Sequence, residues 1–159
     1  MVKRLFKAAL IFFIVFAALV AAYWPPISAQ YLYHDDVVYF MTTPTRLEPP
    51  GSFYNVAIGR FLGGNMLIGL GLLVHTLDDL NIVRFLSVLQ LSVCGFFLTL
   101  WIRKHFLPLS QALLIAIATL TLPSFQIMAS QAGMGFQPMG TFFAILSAIF
   151  AYRIPAETA

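Results

Sequence analysis

Asp35 and Asp36 stand side by side just beyond the first long apolar run, between Tyr31 and Phe40, in a chain with only six acidic residues. Two carboxylates at this position can do either of two kinds of chemistry. One can act as a general base, drawing a proton from an acceptor group. Either or both can hold Mg²⁺ or Mn²⁺, hard cations that take oxygen ligands and in turn hold a phosphate or diphosphate. Neighbouring residues on a helix point in different directions, so one aspartate can enter a site while the other caps or binds a cation. The same pair also fits a solvated loop, or a helix N-terminus whose dipole favours negative charge. Its surroundings (Tyr31, Tyr33, His34, Tyr39 and Phe40) are the aromatic, hydrogen-bonding residues of a membrane surface.

The cations that could serve such a centre are few. Arg60 follows Gly59 later in the same loop, and arginine offers a planar fork suited to phosphate and carboxylate; an interfacial anchor or an aspartate's partner is its other role. Arg84 comes soon after Asp78 and Asp79, so an ion pair with either acid competes with substrate binding. His34 adjoins the acids, but one histidine beside two aspartates is a poor transition-metal set. His75 reads as structural. Gln126, Gln131 and Gln137 can line a cavity or sit in water. Cys94, the only cysteine, lies in an apolar run and excludes a disulfide framework. The nine Lys and Arg are scattered, with no basic stripe, which argues against nucleic acid as a partner.

The elements that must position these residues are set by composition. Of 159 residues 60% are hydrophobic and 9% charged, and the mean hydropathy is +0.89. A soluble domain of this size has too little polar surface left to face water. Long, continuous apolar runs without alternation exclude barrel strands and leave helices. The chain therefore reads as all-α: a polytopic α-helical membrane protein of about four transmembrane helices forming one membrane domain over 1–159. The predicted spans are 5–24, 81–102, 109–129 and 138–153. Pro25 and Pro26 are expected to stop the first helix at the interfacial pair Tyr23 and Trp24. Although the basic start resembles a signal peptide, 8–24 is long enough to span and further spans follow, so the helix is read as uncleaved.

An outer loop over 25–80 carries the acids. Within it 61–77 is apolar but short and rich in glycine, and the Gly59–Gly63 spacing matches close helix packing. Charge decides how to treat it. If 61–77 lies along the outer interface or re-enters partway without crossing, Lys3, Arg4, Lys7, Arg103, Lys104 and Arg153 share the cytoplasmic side, with both termini. The Asp35–Asp36 loop then faces the periplasm or the exterior.

Asp35, Asp36 and Tyr39, with Gly59 and Arg60 some two dozen residues later and the Asn81–Ser87 opening of the second span, resemble the N-terminal portion of GT-C-type integral membrane glycosyltransferases. The similarity is greatest to the bactoprenol-linked glucosyltransferases of bacterial O-antigen modification. It covers residues 1–105, and its motifs are short. Members of that family have many more spans, so the resemblance implies either a fragment or truncated form of a larger protein, or a small relative that has lost catalysis. It also implies residence in the bacterial inner membrane and transfer of a sugar from a polyprenyl-phosphate donor to a glycan or lipid acceptor of the cell envelope. Asp35 or Asp36 would be base or metal ligand, with Mg²⁺ or Mn²⁺ as the cofactor. His34, Tyr39, Arg60 and Arg84 would contact substrate, the arginines neutralising the leaving phosphate. The alternative is a non-catalytic membrane subunit, or a flippase-like partner for lipid-linked sugars.

Overall fold

The computed structural model describes residues 2–28, 74, 76, 78–130 and 137–152. These residues form five helices and no strand: α1 (Val2–Ser28), α2 (Asp79–His105), α3 (Leu109–Leu120), α4 (Pro123–Ser130) and α5 (Gln137–Ala151). Two stretches, Leu5–Ser28 and Asp79–His105, are long and apolar enough to cross a membrane. Leu109–Leu120 and Gly140–Ala151 are apolar but shorter; α3, at about 1.5 Å per residue, falls well below the roughly 30 Å of a hydrocarbon core. Much of the large apolar surface faces outward, including Phe6, Leu10 and Phe13 of α1 and Leu114 of α3. In the apolar stretch of α1 only 17% of residues are buried, unlike the core helix of a soluble domain. Such continuous exposed apolar surface points to lipid or to further protein as its surroundings.

Helix α2 is the hub, packing on α1, α3 and α5, most extensively on α1. The buried face of α1 is Ile11, Val15, Leu19, Tyr23 and Ile27, one residue every fourth position, which follows an i±4 ridge. Val15, Leu19, Tyr23 and Ile27 meet Val88 and Leu91 of α2 and Leu120 of α3 in one core cluster. Rings extend the same interface: Phe12 lies edge-on to Phe96 at 6.2 Å and Phe16 to Phe85 at 5.8 Å. Pairs of this geometry contribute about 0.5–1.5 kcal/mol beyond their buried area. These contacts, with Phe16 opposite a residue earlier in α2 than the one opposite Phe12, make α1 and α2 antiparallel. Along α2 and α5 the pairs Phe97–Phe142 and Trp101–Tyr152 advance together, so these two helices run parallel.

Gly95 sets the closest approach. A Cβ built there would lie 2.7 Å from Val15 Cγ1 and 2.8 Å from Leu120 Cδ1. Val15 is β-branched and stiff at χ1, so the pocket yields poorly. Gly95→Ala is therefore expected to destabilise the packed chain by about 1–3 kcal/mol through overpacking, despite alanine's better helix propensity. Gly140→Ala, with nothing within 4 Å of the added atom, is expected to be neutral or stabilising by up to about 1 kcal/mol. Thermal unfolding of the two variants in one detergent makes the comparison.

The structure changes three boundaries. First, α1 continues through Pro25 and Pro26 to Ser28. The prolines remove only the N–H groups that would serve Ala21 and Ala22, and their fixed φ is compatible with a helix. Ser28 Oγ donates back to the carbonyls of Trp24 (2.9 Å) and Pro25 (3.4 Å), which helps to satisfy the final turn. Second, α2 starts at Asp79 and ends at His105, just past the basic pair Arg103 and Lys104. An acid in its first turn and Arg103, Lys104 and His105 in its last suit the helix dipole.

Third, the run 109–129 is broken at Thr121 and Leu122, since Pro123 has no N–H to give Thr119. The break is closed by hydrogen bonds. Thr121 N–H and Oγ1 both donate to the Ile117 carbonyl, and Gln126 Nε2 donates to the Thr121 carbonyl. Tyr23 Oη donates to the Leu120 carbonyl from across the bundle. Tyr23 is thus a buried interhelical tie, 2% exposed, where the sequence places it at the interface; Trp24 is exposed.

Candidate functional site

The chemistry singled out in the sequence centres on His34, Asp35, Asp36, Tyr39 and Arg60. All five lie outside the described residues, as does most of 61–77. Arg84 is described, and the structure gives it an unusual setting.

The start of α2 is built locally. Thr76 N–H donates to Asp79 Oδ2 at 2.7 Å, while Asp79 and Asn81 N–H donate to the carbonyls of Thr76 and Asp78. One and a half turns on, Arg84 is completely buried. Its neighbours Leu80 and Val83 form an apolar cluster with Val74. A guanidinium stays protonated at any accessible pH, so the site must accommodate a full positive charge, which is costly in an apolar setting without compensation.

Part of that compensation comes from α1. Arg84 Nη1 donates to the Pro26 carbonyl at 3.5 Å. Pro26 belongs to the last turn of α1, whose final carbonyls have no N–H partner within the helix and carry the negative end of its dipole. A cation there is stabilised by up to about 2 kcal/mol in partly buried geometry. The antiparallel packing of α1 and α2 creates this match, because it brings the end of one helix to the beginning of the next. The sequence suggests Asp78 or Asp79 as the partner of Arg84; the contact to Pro26 is one that sequence spacing has no means of showing, since the two residues are 58 positions apart.

Two further polar residues continue the same face of α2. Asn81 is half-buried, and its Oδ1 is sealed from solvent without a hydrogen-bond partner among the described residues. Ser87 is fully buried and turns its hydroxyl back to the Val83 carbonyl at 3.1 Å. Asn81, Arg84 and Ser87 recur every third position, a helical spacing that puts a polar strip on an otherwise apolar helix. That spacing is the signal that could have marked Asn81 and Ser87 from sequence. The strip supplies a fixed cation, an amide oxygen and a hydroxyl at the end of the bundle from which the segment 29–73 departs. Arg84 supplies the positive charge of the strip, and both Arg84 and Ser87 are closed to solvent in this packing.

Other candidates fare differently. Cys94 is buried in the helix packing. Gln126 is exposed and closes the α3–α4 break. Gln131 and His75 lie outside the described residues, and so does the side chain of Gln137. Among the described residues no group of three or more His, Cys, Asp or Glu side chains is gathered to hold a metal ion. No protein-family model, curated protein or solved structure matches this chain.

Proposed function

We propose that the chain is a membrane-embedded glycosyltransferase, or the N-terminal part of one, that moves a sugar from a polyprenyl-phosphate donor to an envelope glycan or lipid on the outer face of a bacterial inner membrane. The observation that carries the reading is the buried Arg84 at the end of α1 from which the acidic segment emerges. Asp35 lies seven residues after Ser28, so chain length alone tethers it within roughly 25 Å of that residue. An always-charged fork, and a pair of carboxylates a short length of chain from the same helix end, suit this transfer.

In the proposed topology α1 and α2 are the first two crossings, α3 with α4 makes a broken third, and α5 makes the fourth. Lys3, Lys7, Arg103 and Lys104 then lie on the cytoplasmic side. In the reaction, Asp35 or Asp36 takes the proton of the acceptor hydroxyl. The acceptor oxygen bonds to the anomeric carbon as the bond from that carbon to the donor phosphate oxygen breaks. The electron pair leaves with polyprenyl phosphate, whose charge Arg60 and Arg84 neutralise. His34 and Tyr39 contact the sugar or acceptor. Mg²⁺ or Mn²⁺ belongs to this proposal only as a second role for the same two carboxylates.

The second reading, a non-catalytic subunit or flippase-like partner, draws on the broad apolar surface that α1 leaves uncovered. One experiment separates the two. Membranes from cells making the full-length protein are given radiolabelled polyprenyl-phosphate hexose, and label in the envelope glycan or lipid fraction is counted. Transfer above membranes lacking the protein is the expected result. No transfer from a panel of hexose donors would overturn the enzyme reading in favour of the partner.

A further inference from the structure

At the opposite end of α1 and α2 from Arg84, an open cleft of ≈ 290 Å³ is lined by Lys7, Ala8, Ile11, Leu100 and Arg103. Ala8, Ile11 and Leu100 give it an apolar wall, and among the described residues its charged groups are two cations, both exposed. From this we propose that the cleft binds the headgroup of an anionic glycerophospholipid, the phosphate between Lys7 and Arg103 and an acyl chain along Ala8, Ile11 and Leu100.

Charge complementarity selects the occupant. An anionic lipid such as phosphatidylglycerol brings a single negative phosphate and an uncharged glycerol. Phosphatidylcholine brings the same phosphate with a quaternary ammonium that would face Lys7 or Arg103. Free phosphate would meet the cations but leave the apolar wall uncovered. The two cations come from different helices, one from the first turns of α1 and one from the last turn of α2. A lipid held there would therefore pin the two antiparallel helices at this end, as the Arg84–Pro26 contact does at the other. Across α2 a second cleft of ≈ 280 Å³ includes Lys104 and His105 above Phe97, Trp101, Leu146 and Phe150. It presents one permanent cation and a mainly aromatic wall, which makes it the internal comparison. The inference needs only lipid around α1 and α2 and is independent of sugar transfer.

The test is native mass spectrometry of the full-length protein from micelles holding equimolar phosphatidylglycerol and phosphatidylcholine. Each exposed cation near a lipid phosphate contributes about 1 kcal/mol, or about fivefold in binding. Lys7→Gln and Arg103→Gln are each expected to lower retained phosphatidylglycerol about fivefold, and the double variant about thirtyfold. Lys104→Gln should leave it within about twofold, less than one full cation contributes. Added inorganic phosphate should not displace the lipid. All four proteins are expected to keep the wild-type melting curve in lipid-free detergent, because the substituted side chains are exposed. Equal retention of the two lipids by wild type would overturn the proposal. So would a loss in Lys104→Gln as large as in the other two, which marks a diffuse basic surface, or displacement by inorganic phosphate, which marks an anion site without lipid.

Discussion

Asp35→Asn or Asp36→Asn is expected to lower sugar transfer by about 10²–10⁴-fold, the usual contribution of a positioned general base. At 1.36 kcal/mol per tenfold this is about 2.7–5.4 kcal/mol of barrier. Asparagine keeps the shape of aspartate and can still accept a hydrogen bond, so the change isolates charge and basicity. The two substitutions should differ in size, because adjacent side chains diverge and only one can face the acceptor hydroxyl. The larger effect names the base. Its residual activity should lose the acidic limb of the pH profile, since no carboxylate then needs to deprotonate. The smaller effect, if recovered by raised Mg²⁺ or Mn²⁺, assigns the other carboxylate to a cation. Expression and the limited-proteolysis pattern should match wild type for both, which separates lost chemistry from a lost fold. Transfer within threefold of wild type in both variants would remove the acidic pair from the mechanism and with it the proposed reaction.

The helical class of the chain was legible from its runs of apolar residues, because a backbone without water must satisfy itself locally. Helix ends were less legible. Pro25 and Pro26 carry a strong stop signal, yet a proline's φ fits a helix, and the turn around the pair can be held by groups outside the backbone ladder. Here Ser28 Oγ and the Arg84 guanidinium take the last carbonyls of α1, those of Trp24, Pro25 and Pro26, and the arginine lies far away in sequence. Pro123 worked in the other direction. It was visible inside an apolar run, but hydropathy averages over the break that it makes between α3 and α4. Tyr23 shows the same limit. Position beside a tryptophan at the end of an apolar run is a fair signal for an interface, and only the approach of Leu120 reveals its buried hydroxyl bond. At the candidate site Arg84 was marked by its charge, whereas its burial follows from the packing of two helices, a non-local fact.

Arg84→Met is expected to reduce transfer by about 10²-fold or more while leaving stability within about 1 kcal/mol of wild type, or raising it. Loss of one charge-stabilising donor in a dry site costs about 10²–10³ in rate, and in the proposed reaction Arg84 neutralises the leaving phosphate. Stability behaves differently. Replacing a buried ion by an apolar side chain of similar volume is often neutral or stabilising, because the desolvation penalty goes with the charge. The usual cost of such a change is a partner charge left behind in a dry place. Of the acids that precede Arg84 in the chain, Asp78 is exposed and Asp79 half-buried with Oδ2 accepting from Thr76 N–H, so either keeps access to water when the guanidinium is removed. Arg84→Lys keeps the charge and loses the planar fork, so it should retain more transfer than methionine but less than wild type. A purely structural arginine would give the reverse ordering of effects. Methionine would then lower the melting temperature in detergent, and transfer would fall only in proportion to folded protein. Measuring transfer per folded molecule alongside thermal unfolding distinguishes the two, and a normal rate per folded molecule in Arg84→Met would take Arg84 out of the site.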